Sequence, residues 1–132
     1  MNTDFYQMIQ PDGMYHAPSY THAMRAGNTV YVAGQVARDE NRRLIAPGDA
    51  EAQARVIFAN LTRILHAAGV DWPNVVKMTT FLVDRADAPK VGAVRLAALG
   101  DHRPPHTGLI VAGLGEEGVR VEVEVIAVLP DR

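Results

Sequence analysis

The run Val119-Arg120-Val121-Glu122-Val123-Glu124-Val125-Ile126-Ala127-Val128 constrains the fold more than any other stretch of this chain. Valine alternates with charged residues at a period of two, the pattern of a β-strand with one apolar face. Val121, Val123 and Val125 must cover a core, so Glu122 and Glu124 share the opposite face. At a rise of roughly 3.3 Å per residue their carboxylates lie about 7 Å apart along the strand. A strand that merely met water would have no need of two acids there. Just upstream comes the turn-rich segment His102-Arg103-Pro104-Pro105-His106-Thr107-Gly108. Carboxylates beside imidazole and guanidinium groups make this end of the chain the first place to look for chemistry.

Such a strand needs a layer to pack on, and the sequence supplies two helices. Ala54, Ile57, Leu61, Ile64, Leu65 and Ala68 recur at spacings of three and four, which predicts an amphipathic helix over about 49–68. Asp49 is placed to cap its start, and Gly69 to close it in a left-handed conformation. A second helix is expected over 87–99, opened by Asp87 with Pro89 in its first turn.

Strands are expected at 20–24 and 29–33, flanking the turn Ala26-Gly27-Asn28, and at 75–83, 107–112 and 119–128. Gln10-Pro11-Asp12-Gly13 reads as a turn, and Trp72-Pro73-Asn74 as a loop. The order β-β-α-β-α-β-β describes an α+β fold, a mostly antiparallel sheet with both helices on one face. Val75 to Val83 carries apolar side chains on both faces, whereas one helix layer hides only one. Self-association is the simplest cover for the other.

The 132 residues suffice for a single domain, 1–132, with a modest core. Thirteen basic and fifteen acidic side chains give a net charge of -2, with no basic run of the kind nucleic acid requires. The absence of cysteine removes thiolate chemistry, disulfides and cysteine-ligated metals. No signal peptide and no membrane-spanning apolar run is visible, so a cytoplasmic, membrane-free protein is expected.

Several of these segments together resemble a known family. They are Asn28-Thr29-Val30-Tyr31-Val32-Ala33 followed by Gly34-Gln35, Ala52-Gln53-Ala54-Arg55 opening the long helix, and Ala67-Ala68-Gly69 closing it. Val75 to Asp84 and Val121 to Val128 complete the series. In order and spacing the chain resembles the RidA/YjgF family of enamine/imine deaminases over roughly 20–128. The resemblance implies a chorismate-mutase-like fold and a homotrimer with clefts between subunits. It also implies hydrolysis of small reactive 2-imino acids or enamines to a 2-oxo acid and ammonia, without metal or organic cofactor. By position it implies that Gly34 and Gln35 hold the ligand through their backbone, that Tyr20 lines the cleft and that Glu122 positions the water.

One position departs from that pattern. Where deaminating members carry an arginine after a Pro-Ala pair to grip the substrate carboxylate, this chain has Arg103-Pro104-Pro105-His106. Arginine offers a permanent charge and a planar two-pronged donor set; histidine offers one donor per ring nitrogen and is mostly neutral at pH 7. Losing a charge-assisted contact removes on the order of 1.5–3 kcal/mol. The expectation is a substrate-binding role for His106, with Arg103 as the alternative source of a guanidinium. A cationic His106 would bind carboxylates more tightly as pH falls through about 6.5.

Each candidate also has a plainer reading. Glu122 can be a solvent-facing strand acid, as Glu124 is read to be; the resemblance favours the water-positioning role for Glu122. Tyr20 is either a cleft ring or strand packing, and His106 either a ligand contact or a loop residue. The spacing His102-x3-His106 suits zinc only on a helix, which two prolines forbid, so no metal site is expected. His16, His22 and His66 read as surface residues. The alternative function is a non-catalytic small-metabolite-binding or regulatory trimer. An endoribonuclease, as older naming of the family has it, fits poorly with the acidic balance.

Overall fold

The computed structural model describes residues 2–130. Its strands are β1 (Tyr6–Ile9), β2 (Ala23–Ala26), β3 (Thr29–Gln35), β4 (Val75–Leu82), β5 (His106–Ile110) and β6 (Val121–Val128). Its helices are α1 (Ala50–Ala67), which follows β3, and α2 (Ala88–Leu99), which follows β4. The strands form one sheet in the order β1-β2-β3-β6-β4-β5. All pairings are antiparallel except β4 with β5, which α2 connects as a crossover.

The alternation along β6 does what its sequence demands. Val121, Val123, Val125 and Ala127 are buried, and Glu124 and Val128 are exposed. Against the buried row lie Ala54, Ile57, Leu61, Ile64 and Leu65 of α1, none with measurable exposure. The isoleucine and leucine side chains among them each contribute roughly 1.5–3 kcal/mol by leaving water. Both helices occupy this one face. The other face carries Met8, Tyr31 and Val128, all exposed.

The cap at the start of α1 is present: Asp49 Oδ1 accepts from the Ala52 N–H at 3.0 Å. Gly69 takes φ +81° just past the last turn, where a Cβ would be strained. Asp49→Ala is expected to lower unfolding stability by about 1 kcal/mol, read as a shift in the urea midpoint without a change in slope.

Several elements differ from the sequence expectation. β1 is an additional edge strand; four residues beside a turn are too short for any periodic signal. The next strand begins at Ala23, leaving Tyr20 in the irregular segment before it, and β6 begins at Val121 rather than Val119. Asp87 does not cap α2. Its carboxylate instead pairs with Arg120 Nη2 at 2.9 Å and accepts from Arg120 Nε at 3.0 Å. Trp72–Asn74 forms a short 3-10 turn closed by Asp71 and Asn74 in a capping box. His22 is buried rather than on the surface. Its Nε2 donates to the Tyr15 carbonyl at 2.6 Å, and its Nδ1 accepts from Gln35 Nε2 at 3.2 Å.

Candidate functional site

The start of β6 is tied down from two sides, and this fixes where Glu122 stands. Gln53, fully buried on α1, donates to the carbonyls of Ala46 and Gly118 and accepts from the Arg120 N–H at 2.8 Å. Arg120 in turn is held by Asp87 and, at 3.5 Å, by Asp84. Two residues further, Glu122 projects from the face away from the helices, paired across the strand with Phe81.

Glu122 is half-buried, in a cavity of about 250 Å³ that it shares with Tyr15, Tyr20, Gly34 and Arg38. Burial pushes its carboxyl above the ordinary carboxylate pKa, and the charge of Glu124 pushes it the same way. Gly34 makes room for it. A Cβ at Gly34 would collide with Glu122 Oε2 and lie 2.8 Å from its Cδ. The backbone of Gly34 is not in the left-handed region, so space for a neighbour, rather than a sharp turn, is what the glycine provides here.

Three of the candidates named from the sequence, Tyr20, Gly34 and Glu122, thus meet at one cavity. Gln35 behaves differently. Its side chain is buried, its Nε2 donating to His22 Nδ1 and the Ala33 carbonyl, and it lines a neighbouring cavity with Tyr20 and Gly34.

His106 lies elsewhere. In the β4–β5 register it pairs with Met78, whose side chain faces the helices, whereas Phe81 and Glu122 face away. Within one chain, His106 and Glu122 therefore stand on opposite faces of the sheet. His106 borders a second cavity, of about 200 Å³, with Thr80 and Arg95 at its polar end. Its Nε2 is 2.9 Å from Thr80 Oγ1 and 3.2 Å from Arg95 Nη1. A guanidinium only donates, so Nε2 is the acceptor and the ring proton sits on Nδ1. Burial lowers the imidazole pKa, and the charges of Arg95 and Lys77 lower it further. Protonation of the ring is thus disfavoured, and the positive charge near it belongs to Arg95 and Lys77.

Arg103 is turned back on its own loop, its Nη1 donating to the carbonyls of Gly100 and, at 2.9 Å, His102. It does not line the His106 cavity. The guanidinium there comes from Arg95, which sequence patterning does not single out. A signal exists all the same: Arg95 sits four residues from both Val91 and Leu99, the two buried positions of α2. An arginine in register with a helix's buried residues asks for a reason. Among the described residues no cluster of three potential metal ligands occurs. No helix among them is long and apolar enough to cross a membrane.

A mostly antiparallel sheet backed by two helices, with an acid from the last strand in a small cavity, defines a recognisable class of small α+β proteins. The sequence pattern described as Endoribonuclease L-PSP matches residues 13–129. The 2-iminobutanoate/2-iminopropanoate deaminase of Mus musculus is 37% identical over 109 residues, 83% of this chain and 80% of that protein. The crystal structure of RidA from the Antarctic bacterium Psychrobacter superposes with a TM-score of 0.85 at 35% identity, covering 93% of this chain and 99% of that one. The structure of E. coli TdcF with bound serine superposes with a TM-score of 0.83 at 26% identity, covering 94% and 99%. The chain belongs to the RidA/YjgF family, with its chorismate-mutase-like fold.

Proposed function

We propose that this protein is a cofactor-independent deaminase of small reactive imines or enamines. It works in clefts shared between the copies of a homotrimer. The observation that carries the reading is Glu122: a half-buried carboxylate with a raised pKa, in a cavity beside Tyr20 and Gly34. The shared cleft is supported by the opposite-face placement of Glu122 and His106, which a neighbouring copy can reconcile. It is also supported by the exposed Met8, Tyr31 and Val128 on the helix-free face. The deaminase named in the mouse relative and the serine held by TdcF support a small amino-acid-derived substrate.

The chemistry needs little beyond placement. A protonated imine carbon is already electrophilic. Glu122 accepts one proton from water as the oxygen bonds to that carbon and the C=N π pair moves to nitrogen. Protonated Glu122 returns that proton to the carbinolamine nitrogen, and as the C–N bond breaks the hydroxyl proton passes back to the carboxylate, releasing ammonia and the carbonyl product. A base with a pKa lifted toward neutrality accepts that proton more readily than an ordinary carboxylate.

The test is ammonia and carbonyl release from freshly generated imines, with and without a carboxylate, against the spontaneous rate. Acceleration is expected. None across the whole panel would leave the metabolite-binding trimer as the function. RNA cleavage that persisted through repeated purification would instead support an endoribonuclease, against which the net charge of -2 argues.

The pH profile adds a sharper check. Only the ionised Glu122 is a base, so kcat rises as pH climbs through its raised pKa. Glu124 is one cause of that raise. Glu124→Gln is therefore expected to move the acid limb of the kcat profile to lower pH, and an unmoved limb would remove Glu122 from the role of base.

A further inference from the structure

The cavity at the junction of α2 and β5 has a consistent chemical polarity. Leu82, Val91, Leu109 and Ile110 give it an apolar wall, and Arg95 with His106 and Thr80 closes one end. Arg95 is only partly exposed. Among the described residues no carboxylate pairs with it, in contrast to Arg120 with Asp87 or Arg38 with Glu116. Its guanidinium hydrogen-bonds His106, and burial together with the nearby charge of Arg103 disfavours its own cation. A guanidinium kept half out of water, with no acid beside it, is a site prepared for an anion from outside.

The position at which the resembling deaminases carry their carboxylate-gripping arginine holds His106 here, and His106 touches Arg95. We propose that Arg95, on helix α2 rather than on the strand, is the carboxylate-recognising group of this protein. The neutral His106 anchors its guanidinium through Nε2. This rests on the imine-hydrolase reading above, and it retains the carboxylate that loss of the strand arginine would otherwise remove from the substrate.

The geometry explains why a histidine is suitable at position 106. A second arginine there would set two cations side by side. A neutral imidazole with a free lone pair on Nε2 instead accepts from the first and holds its fork in place. Thr80, buried at 2% exposure, fixes the ring from below at 2.9 Å. Arg95 on α2 faces His106, and the charges of Arg95 and of Lys77 on β4 both resist its protonation.

The experiment measures binding of a stable short-chain 2-oxo acid and of its uncharged amide by calorimetry, alongside imine turnover, in the full-length protein. Wild type is expected to bind the acid in preference to the amide. Arg95→Met is expected to weaken the acid by roughly 10–100-fold, the equivalent of one charge-assisted contact, while the amide changes by less than about twofold. The double variant R95M/H106R, which returns a guanidinium to the strand, is expected to recover most of the affinity and so shows that the site still folds. Unchanged acid binding in Arg95→Met, equal loss for acid and amide, or no preference for the acid in wild type would each overturn the assignment. The binding arm does not require turnover. An Arg95-dependent preference in a protein that accelerates no imine sustains the anion site and removes only the deaminase.

Discussion

If Glu122 is the base of the proposed imine hydrolysis, its replacement by glutamine is expected to lower the rate by roughly 10²–10⁴-fold, the usual contribution of a positioned general base. Glutamine keeps the shape and the hydrogen-bonding reach of the side chain but cannot take a proton from water. The fold should not suffer. Glu122 faces away from the helix-packed core, and burial in its cavity already disfavours its charge. A carboxyl whose pKa is raised on folding makes the folded state less stable once pH exceeds that pKa. The neutral replacement is therefore expected to leave the melting temperature unchanged or slightly higher above that pH. Kinetics against the spontaneous rate and a thermal scan together decide the matter. A variant that kept wild-type kcat would show that the acid is a bystander.

Gly34→Ala is expected to cost about 100-fold in kcat with little loss of stability, since misplacing a reacting group by an ångström has an effect of that size. The added methyl meets Glu122 Oε2 and Cδ, the far end of a side chain, so the carboxylate swings aside rather than the backbone breaking. The backbone of Gly34 tolerates an L-residue, because its φ is outside the left-handed region. Gly27 supplies the control. Nothing lies within 4 Å of a Cβ there, but its φ is +61°. Gly27→Ala should therefore lower stability and leave turnover alone. Full activity in Gly34→Ala would mean that the Glu122 position is not critical.

The parts of the molecule that follow from local periodicity were readable before any coordinates. The valine alternation placed Glu122 on the face opposite the core, and the spacing from Ala54 to Ala68 with Asp49 and Gly69 marked α1 and both its ends. Short edge elements were not readable: the four residues of β1 carry no period. Long-range pairing was the larger obstacle. Which face His106 shares depends on β5 lying parallel to β4 and on β6 inserting between β3 and β4. No local pattern encodes that register. Asp87 illustrates the same point. Its position before a helix suggests a cap, but Arg120, distant in sequence, claims the carboxylate. Arg95 was legible in principle, as a cation in step with Val91 and Leu99, yet its meaning appears only with the imidazole it holds.

The acid projects from one face of the sheet and the guanidinium lies on α2 against the other, so with a shared cleft a freshly made copy would carry two unfinished half-sites and no whole one. In the shared-cleft reading such a copy is inert however well it folds. Chemistry then switches on with assembly, and very dilute protein should lose turnover before it loses structure.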